Sequence, residues 1–158
     1  MQPLRTQATS PAQGWARLVR AYAGIARELD TRLHADHDLT KNEYDLLLLL
    51  ARAEGNRMRR VDLATQLILS PSGITRMLDR LGAAGLVEKG GCAADARVTY
   101  AVLTDEGMDR LRAAGRSHDA VIEEMVGSRL GKAELKTLTE ILERLPGTGG
   151  DEQCTVDR

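Results

Sequence analysis

The sequence predicts a mainly α-helical fold carrying one small β-hairpin, and three observations predict it. Apolar residues recur at three- and four-residue steps along most of the 158-residue chain. Between Gly85 and Thr104 that period gives way to short β-rich runs punctuated by glycine. Phe is absent and aromatics are only 3%, so Leu, Ala, Val and Ile must fill the core, which suits packed helices.

Residues 1–11 are polar with two prolines and are expected to be disordered. From Trp15, the apolar positions Leu18, Val19, Tyr22, Ile25, Leu29 and Leu33 define a long amphipathic helix within residues 12–38. It is too long to be covered by one small unit, so part of its stripe is expected to meet another helix or another subunit. Thr40 and Glu43 form a capping box for the next helix, which runs through the Leu46–Leu50 block to about Ala53. Leucine nearly all round places that helix at the centre of the fold. Glu54-Gly55-Asn56 ends it, and Met58 and Arg59 add a short strand.

Residues 61–104 are the stretch the rest serves. A short periodic segment, Val61 to Leu67, is followed by Ile68-Leu69-Ser70 and by a second helix from Pro71 to Ala84. Ser70 suits an N-cap, Pro71 suits the first helical position, and Gly85 suits a left-handed C-terminal stop. Two helices joined by so short a turn outline a helix-turn-helix. Ile74, Met77, Leu78 and Leu81 share the apolar stripe of the second helix, leaving Ser72, Thr75, Arg76 and Arg80 outside it. Leu86–Lys89 and Val98–Leu103 then read as the two strands of a hairpin, so residues 39–103 make a winged helix-turn-helix. Thr104 caps a helix in which Met108, Leu111, Gly115, His118, Ile122 and Met125 alternate in heptad steps, usual where helices pack side by side or between subunits. Gly127 ends it. A last helix carries Leu135, Leu138, Ile141, Leu142 and Leu145, closing the helical segment 104–145 before Pro146; residues 146–158 read as a flexible tail.

The central stretch resembles the MarR family of bacterial transcriptional regulators. The matching residues are Leu63-Ala64, Ser70 to Arg76, Leu78-Asp79-Arg80-Leu81, Gly85-Leu86-Val87, Asp95-Ala96-Arg97 and Leu103 to Gly107. Each piece is weak alone; in this order and spacing they are specific, and the resemblance extends over about residues 12–145. Ala96 departs from the pattern, since many members carry a second Arg there. The resemblance implies that the first and last helices interdigitate with a second subunit. The expected dimer interface is Leu18, Met108, Leu111, His118, Ile122, Met125, Leu138 and Leu142. It also implies an effector site between the dimerisation helices and the winged unit. The polar-tipped or aromatic residues of the first two helices, Trp15, Tyr22, His34, His37 and Tyr44, are its candidates.

The function expected is that of a sequence-specific DNA-binding regulator, a ligand-responsive repressor acting as a homodimer on a pseudo-palindromic operator. Two-fold symmetry would match half-sites one helical turn apart, roughly 10 bp. The expected contacts with double-stranded DNA are Arg59, Arg60, Ser70, Ser72, Gly73, Thr75, Arg76, Arg80, Asp95 and Arg97. Arg76 with Ser72, Gly73 or Thr75 would approach bases, Arg80 a phosphate, and Arg97 the minor groove from a hairpin oriented by Asp95, while Arg59 and Arg60 read equally as phosphate contacts or as solvated charges. Net charge is only −1, but residues 57–97 hold seven basic and four acidic side chains, a basic segment on an acidic remainder.

Two alternatives stand beside this reading. One is a winged helix serving protein interaction, which would not need Ser72, Thr75, Arg76 and Arg97 on one side. The other is redox control through Cys92, against which stands the lack of any neighbouring His. Cys92 and Cys154 make no disulfide framework, no apolar run reaches membrane-spanning length and no signal-peptide core is present, so the cytoplasm is expected. Phosphate-loop, nucleophile and metal-cluster motifs are lacking, so no enzyme, cofactor or metal is expected; His34 and His37 with Asp36 and Asp38 read as capping or pocket-lining groups.

Overall fold

The computed structural model describes residues 10–91 and 99–146. It contains six α-helices and a three-stranded antiparallel sheet: α1 (Pro11–His37), α2 (Lys41–Arg52), β1 (Arg57–Arg59), α3 (Arg60–Gln66), α4 (Pro71–Ala83), β2 (Val87–Gly91), β3 (Thr99–Leu103), α5 (Asp105–Ile122) and α6 (Lys132–Leu142). The expected mainly helical winged fold is the one observed, with sheet order β1-β3-β2. The strand foreseen at Met58-Arg59 pairs with β3, Met58 opposite Ala101.

Local chemistry sets most boundaries. The Thr40 hydroxyl accepts from Glu43 N at 3.2 Å while the Glu43 carboxylate accepts from Thr40 N at 2.8 Å, the reciprocal cap expected for α2. Ser70 caps α4 through Gly73 N at 3.1 Å, and Thr104 caps α5 through Gly107 N at 3.0 Å. Gly85 takes φ +74°, and Leu86 N donates to Leu81 O at 2.9 Å, which closes α4 in a Schellman turn.

The core is leucine. Leu33 of α1, Leu46, Leu47 and Leu50 of α2, Leu63 of α3, Ile74 and Leu81 of α4 and Leu111 of α5 are all fully buried. Each contributes about 1.5–3 kcal/mol by burial. α5 lies chiefly along α1 and α2. Its start is pressed onto the chain end of α4: a Cβ at Gly107 would lie 2.1 Å from Leu86 O. After Ile122 the helix widens into a π-helical turn, Glu123–Gly127, before α6.

Two features depart from the sequence expectation. The heptad seam of α5 packs inside its own chain. Leu111 and Gly115 are buried, and Met108, Ile122 and Met125 rest half-buried on the core. A heptad step reports close helix packing and is blind to which chain supplies the other helix. The second departure is at the end of α3. Leu69 N donates to Ala64 O at 2.9 Å in a second Schellman turn, whose left-handed position is filled by Ile68 at φ +53°. A β-branched residue there is strained, and Ile68 is 91% exposed, so packing does not offset the strain.

Ile68→Gly should therefore raise stability by about 1 kcal/mol, read as a higher Tm, because relief of left-handed strain exceeds the entropy cost of glycine. Gly107→Ala should do the reverse by roughly 2–4 kcal/mol, since the added methyl overlaps backbone that cannot swing aside. An unchanged Tm in the alanine variant would show that α5 can move off Leu86 freely.

Candidate nucleic-acid interface

The exposed face of α4 follows from what its apolar side buries. Ile74 and Leu81 point into the core, so Ser72 and Arg76, one turn apart, lie together on the exposed side. Arg76 has no ion pair among the described residues. Ser72 Oγ lies 3.1 Å from Ser70 Oγ, so two hydroxyls and the first helical N–H groups sit together at the entry to the helix. Thr75 is half-buried and turns its hydroxyl back to Pro71 O at 2.8 Å. Gly73 keeps the cap intact: a Cβ there would come within 3.2 Å of Ser70 Oγ.

Between α4 and the hairpin runs a groove of about 460 Å³, with Arg60, Thr75, Leu78, Asp79, Lys89 and Tyr100 among its walls. Arg60 also borders a smaller groove between α3 and the start of α4 and makes no ion pair among the described residues. Arg59 is occupied differently. Its guanidinium forks onto Asp62 at 2.7 and 3.0 Å across the first turn of α3, as an exposed local pair. Arg57 lies over the Tyr100 ring at 5.0 Å, joining β1 to β3. Cys92, Asp95, Ala96 and Arg97 lie outside the described residues.

Arg80, expected on a phosphate, is engaged with the protein body. Its Nε donates to Glu43 Oε1 at 2.5 Å and its Nη2 to Glu43 Oε2 at 2.8 Å and to Asp38 O at 2.6 Å. Glu43 is 3% exposed. A carboxylate so placed needs a cation, and Arg80 meets it in bidentate geometry. Burial by itself would raise the Glu43 carboxyl; hydrogen bonds from Arg80 and Thr40 outweigh it and hold the group below its ordinary value. Arg80 is raised in turn, first by its hydrogen bond to Glu43.

The five expected effector residues do not line one cavity of this chain. Trp15 is 67% and Tyr22 61% exposed, on one stripe with the exposed Val19. Tyr44 is buried and stacked on His118, centroids 4.8 Å apart. His37 Nε2 meets Ser117 Oγ at 2.8 Å, and His34 sits exposed beside Asp38 at 3.6 Å. The residues expected at the dimer interface are likewise divided between core and surface. Leu111 is sealed in the core with no surface left for a partner, while His118 stacks internally on Tyr44 with its side chain 15% exposed. Leu18 and Leu142 are half-buried and Leu138 is exposed, and Trp15, Val19 and Ile141 join them as apolar groups without full cover.

Glu43 as a partner for Arg80 was missed from sequence, although a signal existed. Glu43 shares its helical stripe with Leu46, Leu47 and Leu50, so its carboxylate had to be buried and to find a cation. Arg110, whose Nη1 donates to His37 O at 2.8 Å, was missed too, with no local signal to reveal it.

Comparison with known proteins agrees with this geometry. A model of the MarR family matches residues 37–98. The HTH-type transcriptional regulator MhqR of Bacillus subtilis (strain 168) is 30% identical over 128 residues, covering 81% of this chain and 86% of that protein. A MarR family transcriptional regulator from Streptomyces coelicolor, solved in complex with DNA, superposes with a TM-score of 0.76 at 29% identity, over 85% of this chain and 88% of that one. A cysteine-to-serine mutant of MarR from E. coli, complexed with operator DNA, gives a TM-score of 0.72 at 25% identity, over 82% and 91%.

Because the folded-state carboxyl of Glu43 is depressed, its pairing adds stability above the ordinary carboxylate range and loses it as pH falls through the folded value. Glu43→Gln should cost about 1–3 kcal/mol near neutrality, discounted from a fully buried pair because the Arg80 side chain is 44% exposed. The gap in Tm between the two proteins should close on acidification. A gap independent of pH would show that the carboxylate charge contributes nothing.

Proposed function

The chain belongs to the MarR family of DNA-binding transcriptional regulators, and from that membership we propose that it works as a homodimer on a pseudo-palindromic operator, as a ligand-responsive repressor. The observation that carries the reading is the exposed Ser72–Arg76 stripe on α4, with Arg60 beside it, both arginines free of ion pairs among the described residues. An unpaired guanidinium reaches base edges or phosphates without first breaking an internal contact. Ser72, Gly73 and Thr75 would approach bases with Arg76, while Arg60 would take a phosphate. Arg97, with Asp95 orienting its loop, remains the proposed minor-groove contact of the wing. Arg59, already forked onto Asp62, is given a supporting role at the start of α3.

Dimerisation is supported by apolar surface at both ends of the chain. Trp15, Val19 and Tyr22 on α1, Leu138 and Ile141 on α6, and Leu145 just after α6 are exposed large hydrophobics. Such patches mark association surfaces. A second copy covering them would bring two recognition helices into one assembly. A small molecule wedged among Trp15, Tyr22 and the partner's helices would alter the separation of those helices, and with it the match to half-site spacing.

The test is selection of bound duplexes from a random pool. A two-fold symmetric site should be enriched, bound with an affinity that falls as salt rises. Weak binding without enrichment would leave only a non-specific DNA binder, and no binding by an intact dimer would favour a protein-interaction module. Arg76→Ala should cost about 1–3 kcal/mol and relax preference at one symmetric position. Trp15→Asp combined with Leu138→Asp should give a folded monomer in sedimentation equilibrium; a persistent dimer would move the interface elsewhere.

A further inference from the structure

We propose that Arg80 is a positioning residue: with Glu43 it sets the direction in which the recognition helix α4 leaves the protein body, and operator affinity depends on that direction. The inference rests on the DNA-binding reading and concerns how the reading face is aimed.

The apolar anchors of α4, Ile74 and Leu81, fix its depth, but hydrophobic contact is non-directional. Direction comes from the Arg80 fork. Two of its nitrogens hold the two oxygens of Glu43, and Nη2 also caps Asp38 O. Glu43 cannot swing to follow a moving arginine, because Thr40 N and Thr40 Oγ1 hold its Oε2 at 2.8 and 3.0 Å. The receiving end is equally fixed. Asp38 is the left-handed cap of α1, and the preceding carbonyl, His37 O, is taken by Arg110 from α5. Consecutive carbonyls at the end of α1 are thus bound by two arginines, one from the recognition helix and one from the helical body. A turn of α1 is transmitted to α4 through a shared node.

Leverage makes this matter. Arg80 lies near the C-terminal end of α4 and Ser72 near its start, about 12 Å away along the axis. Tilting the helix by roughly 10° about Arg80 moves Ser72 by about 2 Å, more than the tolerance of a hydrogen bond to a base edge. Arg80 therefore contributes to DNA binding without touching DNA.

The rival role, a phosphate contact, gives a different salt dependence. Removing one phosphate contact reduces the slope of log K against log salt by about one, while misdirecting the helix lowers affinity for the selected site at an unchanged slope. The experiment uses full-length Arg80→Gln and Glu43→Gln, well below their Tm, titrated against the duplex selected by the wild type and against spacers one base pair shorter and longer. Each variant should bind the selected duplex at least tenfold more weakly, with the wild-type salt slope and a flattened spacing preference. In the free proteins, amide hydrogen exchange should speed up along Ile74–Leu81 while β3 keeps its protection. A slope reduced by about one in Arg80→Gln, with Glu43→Gln binding normally, would make Arg80 a phosphate contact and overturn the proposal. Wild-type affinity and spacing in both variants would overturn it as well. Were the wild type itself to select no site, the operator reading would fail separately, and unchanged α4 exchange in Glu43→Gln would still refute the positioning role.

Discussion

A carboxylate buried to 3% exposure must be charged and matched, or neutral, and Glu43 is matched from two directions at once. It serves as the third residue of the α2 capping box and as the counter-ion of Arg80. The start of α2, the end of α1 and the last turn of α4 therefore depend on one side chain. A hydrophobic residue of similar size would stabilise such a position as well or better. What it would not supply is geometry, since a bidentate pair has one good arrangement and an apolar contact has many. The body and the DNA-reading head are joined by an interaction with a defined orientation, and other features of the chain acquire their meaning from that joint.

Local signals were legible wherever the chemistry was local. Ser70-Pro71, Gly85, Thr40 with Glu43, and Thr104 mark helix ends by bonds made within five residues, and each end lies where those bonds put it. The exposed face of α4 was legible as the complement of its apolar stripe. What sequence could not resolve was long-range or ambiguous. Arg80 sits on the polar side of a helical wheel, and nothing nearby announces a partner 37 residues away. The α5 heptad has the same periodicity whether it faces α1 of its own chain or another copy. Ile68 occupies a position whose turn geometry asks for glycine, and no residue-level preference would have placed isoleucine there.

Charge counting illustrates the same limit. The excess of basic residues between 57 and 97 suggests a generous phosphate-binding surface, yet the side chains divide their duties. Arg57 is stacked on Tyr100, Arg59 holds Asp62, Arg80 holds Glu43, and Lys89 lies 3.7 Å from Asp79. Among the described residues of that segment, Arg60 and Arg76 remain without such a partner. A head with few free cations is suited to reading a site by shape and a small number of base contacts, with modest non-specific attraction. In the proposed positioning role, the aim of α4 would carry more of the affinity than the net charge of the head.

The helical ends raise the converse question of what holds them in place. α6 is 11 residues long and none of them is buried. An isolated helix of that length is marginal in water, and its capping contact from Glu134 to Gly131 N adds only a fraction of what it needs. Its apolar face and that of α1 around Trp15 are the natural complement of each other's deficit, since neither is fully covered among the described residues. In the proposed dimer those faces would be stabilised by mutual burial, and α1 would then carry the strain of subunit packing along its length to Asp38, where Arg80 is attached. The stability of the dimer and the direction of the recognition helix would thus share one mechanical element. A change at the subunit contact would reach α4 without any rearrangement of the core between them.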